Sequence, residues 1–145
     1  MTETQLKTRV GLFVVIAHFS ILILVLVLYV LGGFLFNEMT TTSALIVPMF
    51  SVYTTAIIKY IIAGKNRMPC KGDPVTGEYA FIAWFVPGLF VGVLIAAILL
   101  KAFNVGFSSF EEFKIMMGVL ETVFGAYVGL VLASMYQIPP GKRRR

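Results

Sequence analysis

Four long apolar runs separated by shorter polar stretches organise the 145 residues of this chain. The first runs from Val10 to Phe36 without a formal charge. About 20 apolar residues cross the roughly 30 Å hydrocarbon core of a bilayer, so this run spans it with tilt to spare. A secretory h-region is about 7–15 residues long and ends at a small-residue cleavage site. This run is longer and ends in LGGFLF, so it is expected to stay in the membrane.

Asn37 to Ser43 reads as a polar turn, with Thr42 or Ser43 placed to cap the helix that follows. The second span then covers about 44–63, with Pro48 near its start, where a missing N–H does least harm. Residues 64–78, GKNRMPCKGDPVTGE, carry turn chemistry in K-G-D-P and V-T-G-E. The third span, about 79–100, contains Pro87, where a kink is expected. After a connector over 101–110, Ser108 and Ser109 each precede a glutamate by three residues, the capping-box spacing. The fourth span covers about 113–136, and residues 137–145 form a basic tail closed off by Pro139 and Pro140. The pattern therefore predicts an all-α integral membrane protein, a single domain over 1–145 with four transmembrane helices in an antiparallel bundle.

Composition agrees with the pattern. At 59% hydrophobic and 13% charged residues, with mean hydropathy +0.91, a water-soluble domain of this size would expose more apolar surface than one core hides. The lone Cys70 permits no intramolecular disulfide and no cysteine-based metal cluster. Ten of the 12 Lys and Arg residues fall at the N-terminus, around the 64–78 loop or in the tail; only Lys101 and Lys114 fall in the other two connectors. Cytoplasmic loops carry such an excess, so both termini are expected on the cytoplasmic side. The net charge of +5 is thus matched to anionic lipid headgroups rather than to nucleic acid. The chain holds no N-x-S/T sequon, which fits a bacterial inner membrane.

A few polar residues inside the runs carry the chemistry. Glu121, Gly125, Gly129 and Ala133 fall at i, i+4, i+8 and i+12, one stripe with a carboxylate followed by small residues. A charged side chain at the centre of a membrane helix costs roughly 2.5–3.5 kcal/mol on insertion scales, so Glu121 should face protein or water. It serves either as a buried structural carboxyl or as one of a ring of carboxylates lining a cation path in a homo-oligomer. Ser51, Thr55 and Lys59 form a second polar stripe, an interhelical contact or a wet lining. Lys59 stands near a helix end, where its stem can snorkel to water. His18, alone in the first span, reads as a neutral imidazole hydrogen-bonded inside the bundle; a pH sensor or a symmetric metal site across subunits is the sharper alternative. By depth from the expected helix ends, His18 and Glu121 do not meet without tilt or a water.

Gly88, Gly92 and Ala96 make a second small-residue track, placed to let the third and fourth helices approach closely or to serve subunit contacts. Lys65, Arg67, Lys71, Lys142, Arg143, Arg144 and Arg145 form a basic cytoplasmic surface for lipid headgroups or an acidic partner. No hydrolase triad, His-Glu-x-x-His, Cys-x-x-Cys or phosphate-cradling glycine motif occurs, so neither an enzyme nor a bound metal or cofactor is expected. Three function classes remain. One is a small homo-oligomeric channel or pore-forming membrane effector whose ion path is lined by polar intramembrane residues. Another is a membrane anchor or accessory subunit whose polar intramembrane groups bind a larger partner and whose basic cytoplasmic face docks a partner protein. The third is a small-molecule transporter.

Overall fold

The computed structural model describes residues 2–64 and 75–136. Among these the chain is all helical, with α1 Glu3–Val30, α2 Phe36–Gly64, α3 Gly77–Ala102 and α4 Phe110–Tyr136 and no strand. Three helices are long and apolar enough to cross a membrane, over Gln5–Val30, Phe36–Lys59 and Gly77–Ala102. Three spans of this kind are what a helical membrane protein carries. α4 carries Glu111, Glu112, Lys114 and Glu121 and is not among those three.

Two helices begin earlier than the apolar pattern predicts, because polar residues supply their own caps. Thr2 accepts from the Gln5 N–H while the Gln5 side chain accepts from the Thr2 N–H, a reciprocal capping box that starts α1 at Glu3. The expected turn at Asn37 to Ser43 is instead the first two turns of α2. Glu38 Oε2 accepts the Leu35 N–H at 3.0 Å, and the Thr40 and Thr42 hydroxyls fold back onto the carbonyls of Phe36 and Glu38. Self-satisfied in this way, the polar residues need no water and the helix absorbs them. Thr42 is fully buried rather than a cap, and Pro48 lies well inside α2 on its outer side. At α4 the expected box forms with a shift. Ser109 Oγ accepts from the Glu112 N–H, and Glu112 reaches back to the Ser108 N–H at 2.8 Å.

Both α1 and α3 stop in Schellman turns. The Gly33 N–H bonds the Leu28 carbonyl and the Gly32 N–H that of Tyr29, with Gly32 at φ +82°; Val105 and Asn104 do the same to Leu100 and Lys101, with Asn104 at φ +54°. These turns bring the two connectors together. Gly33 sits so close to Ala102 that an added Cβ would stand 3.0 Å from the Ala102 Cβ and 3.2 Å from its carbonyl oxygen. Gly33→Ala is therefore expected to lower stability by about 1–3 kcal/mol through overpacking, read from unfolding in mixed micelles. Gly92→Ala, with nothing near the added carbon, should leave it unchanged.

The helices close a four-cornered bundle in which α1 and α4 each pack against both α2 and α3. Buried positions recur at three- and four-residue intervals: Leu6, Val10, Val14, Ala17, Ile21, Val25 and Leu28 on α1, and Phe113, Met117, Glu121 and Phe124 on α4. Such spacing gives each helix one seam. The opposite faces are apolar too, with Leu12, Ile16, Ile23 and Leu26 of α1 exposed as lipid-facing side chains would be. Glu121 occupies a seam position, and this fixes the site.

Candidate functional site

His18 and Tyr53 share an aromatic layer with Phe124 on the inner seams of α1, α2 and α4, and Glu121 is buried on the α4 seam one turn before Phe124. The helix bounds set His18 and Glu121 at similar depth. With α1 beginning at Glu3, His18 stands fifteen residues from its end of the bundle, and Glu121 stands fifteen residues before Tyr136. At 1.5 Å per residue both lie about 22 Å along their helices. Equal depth does not join them: as expected from the sequence there is no direct bond, and neither His18 Nε2 nor either Glu121 oxygen has a hydrogen-bond partner.

The His18 ring is completely buried, its Nδ1 2.8 Å from the Val14 carbonyl. An imidazole donates there through Nδ1–H, which turns Nε2 toward the interior as the lone-pair nitrogen. Phe50 and Phe124 stack beside the ring, each with centroids 5.7 Å away, and Tyr53 stands edge-on at 6.1 Å. Phe90 of α3 closes the layer, stacked on Phe124 at 3.7 Å. Glu121 is 4% exposed, and its carboxyl lies within electrostatic reach of the Tyr53 hydroxyl. Four side-chain atoms of these residues, His18 Nε2, Tyr53 Oη and both Glu121 carboxyl oxygens, are buried without a hydrogen-bond partner. Each such atom costs about 1–3 kcal/mol when left unpaired, so a cluster of them calls for a role. Among the described residues no group of three His, Cys, Asp or Glu side chains is placed to hold a metal ion.

Gly125, one turn beyond Glu121, makes room for this arrangement. A side chain there would run into the end of Met49 and would begin 3.3 Å from Tyr53 Oη, so the close approach is between α4 and α2. The helices expected to use small residues against each other, α3 and α4, do not do so at Gly88 and Gly92. Neither glycine has another group within reach of an added carbon, and Gly92 and Ala96 are exposed on the outer face of α3. The side chains of Gly129 and Ala133 lie outside the described residues, as do Lys65, Arg67, Lys71, Lys142, Arg143, Arg144 and Arg145.

The stripe of Ser51, Thr55 and Lys59 also faces outward; all three are exposed, and Ser51 Oγ donates to the Val47 carbonyl at 2.8 Å. Glu121 and this stripe thus lie on opposite sides of the subunit wall. A carboxylate ring between subunits is not available to a Glu121 enclosed by its own bundle, because the other helices stand between it and any neighbour.

One feature of the far end was not legible as a site. Lys101 and Glu38, both assigned to connectors by the sequence pattern, form an ion pair at 3.0 Å with side chains only 10% and 15% exposed. The Lys101 ammonium also lies 5.9 Å from the Phe34 ring centre and 5.8 Å from that of Phe110. The pair joins a carboxylate at the start of α2 to a cation in the last turn of α3, the signs the two helix dipoles favour. No protein-family model, curated protein or solved structure matches the chain.

Proposed function

We propose that copies of this chain assemble around an axis into a small homo-oligomeric channel of the plasma membrane, with the outer face of α2 lining the path. All four helices cross the bilayer, consecutive helices run in opposite directions, and both termini are cytoplasmic. α4 is 27 residues long, about 40 Å, which exceeds the hydrocarbon thickness. The Lys and Arg excess supports this orientation.

The observation that carries the reading is the outward stripe of Ser51, Thr55 and Lys59. It lies in a segment apolar enough to cross the membrane, yet turns hydroxyls and a charge away from the bundle. Lipid is a poor solvent for such a face, and a water-filled axis shared by symmetric copies is a good one. A ring of lysines favours anions. In a Cys70→Ser background, Thr55→Cys is expected to form disulfides between copies and to trap a closed oligomer on sizing columns. A monomer that forms none would sink the proposal.

A second reading draws on a different face. The uncovered Gly88, Gly92 and Ala96 track on α3 suits the close approach of another membrane helix, as in an accessory subunit. It predicts a co-purifying membrane partner that Gly92→Leu releases, with no change in the stability of the chain itself.

A further inference from the structure

We propose that His18, Tyr53 and Glu121 form an intramembrane binding site for one proton, independent of how copies of the chain assemble. The three side chains come from three helices, α1, α2 and α4, and each is more than nine-tenths buried. Their unpartnered atoms are unbalanced. His18 Nε2 and the two Glu121 oxygens accept, while the Tyr53 hydroxyl brings the one hydrogen able to donate. Three acceptors against one donor leave the cluster short of a hydrogen. An ionised Glu121 leaves it with an uncompensated negative charge as well. One bound proton corrects both.

The surroundings select the proton over other ligands. α3 faces the layer with the Phe90 ring, which brings no charge. Lys101 is engaged with Glu38 at the far end, and Lys59 is turned outward, so neither neutralises Glu121. An alkali or alkaline-earth ion takes about six or more oxygens, and this cluster offers three. Phe50 and Phe124 both stack beside the imidazole, and Met49 fills the gap that Gly125 leaves. A proton on the Glu121 carboxyl removes its charge and supplies a second hydrogen to the three side chains. No covalent bond other than O–H or N–H is made or broken.

Infrared difference spectroscopy on the full chain in nanodiscs tests this. Between about pH 5 and about pH 9, the interval in which imidazoles and perturbed carboxyls titrate, one carboxylic-acid band per chain should appear on acidification. Glu121→Gln should abolish the band. His18→Phe, which keeps a ring beside Phe50 and Phe124 but removes the acceptor, should weaken proton binding about tenfold, or about one pH unit. If Glu121→Gln fails to fold, Tyr53→Phe serves in its place and should also move the midpoint. Exchanging choline for sodium at fixed pH should leave the band unchanged. A folded wild-type protein with no titrating carboxyl band, a band that survives in Glu121→Gln, a midpoint indifferent to both His18→Phe and Tyr53→Phe, or a band removed by sodium would each overturn the proposal. None of these readouts depends on conductance.

Discussion

Lys101→Met is expected to destabilise the protein by about 3 kcal/mol, the largest loss of any single charge in the described chain. Removing one partner of a buried pair typically costs about 3–5 kcal/mol, because the other charge stays behind without compensation. Glu38 is held in place by its bond to the Leu35 N–H, so its carboxylate has no freedom to swing into water. Its 15% exposure sets the expectation at the lower end of that range. The same change withdraws the cation from between Phe34 and Phe110, which loosens both connectors at once. Adding Glu38→Gln should recover most of the loss, since the amide oxygen still accepts from Leu35 and no charge remains. Reversible unfolding in mixed micelles reads both values. A Lys101→Met protein within about 0.5 kcal/mol of wild type would show that the pair is solvated and structurally idle.

Phe124→Ala is expected to cost as much or more, about 3–5 kcal/mol, by opening a cavity in the aromatic layer. Phe124 is 1% exposed and touches rings from the three other helices: Phe90 of α3, Tyr53 of α2 and His18 of α1. In a bilayer the lost stabilisation is mainly packing rather than the hydrophobic effect, because lipid tails are as apolar as the core. Phe124→Leu, which fills part of the space, should lose less. If the two variants unfold alike, ring stacking rather than volume holds the layer.

Much of the architecture was legible in the sequence, and the gaps have physical reasons. Length and apolarity of the runs give four helices, three of them long and apolar enough to cross a membrane. They do not give the seams, since α1 is as apolar on its lipid face, at Ile16 and Ile23, as on its buried face, at Ile21 and Val25. Helix ends escaped a reading based on hydrophobicity wherever polar residues cap themselves. The Thr2 and Gln5 pair carries a recognisable capping-box spacing, whereas Thr40 and Thr42 look like loop until their hydroxyls are seen on i−4 carbonyls. From those ends followed the misjudged depth of His18. Glu121 was legible as a residue that must face protein, because hydrocarbon tolerates no unpaired carboxylate. Its neighbour Tyr53 was not, since a tyrosine between apolar residues reads as belt or core alike. The Lys101 and Glu38 pair links positions far apart in the chain that only the meeting of two Schellman turns brings together.

The reversal potential of the purified protein in planar bilayers under a KCl gradient bears most directly on a path lined by the outer face of α2. Wild-type channels should pass chloride in preference to potassium, and Lys59→Glu should shift the reversal potential toward that of potassium without dissociating the oligomer. Identical selectivity in the two proteins would place the path elsewhere. An absence of current from a correctly assembled oligomer would contradict a channel altogether.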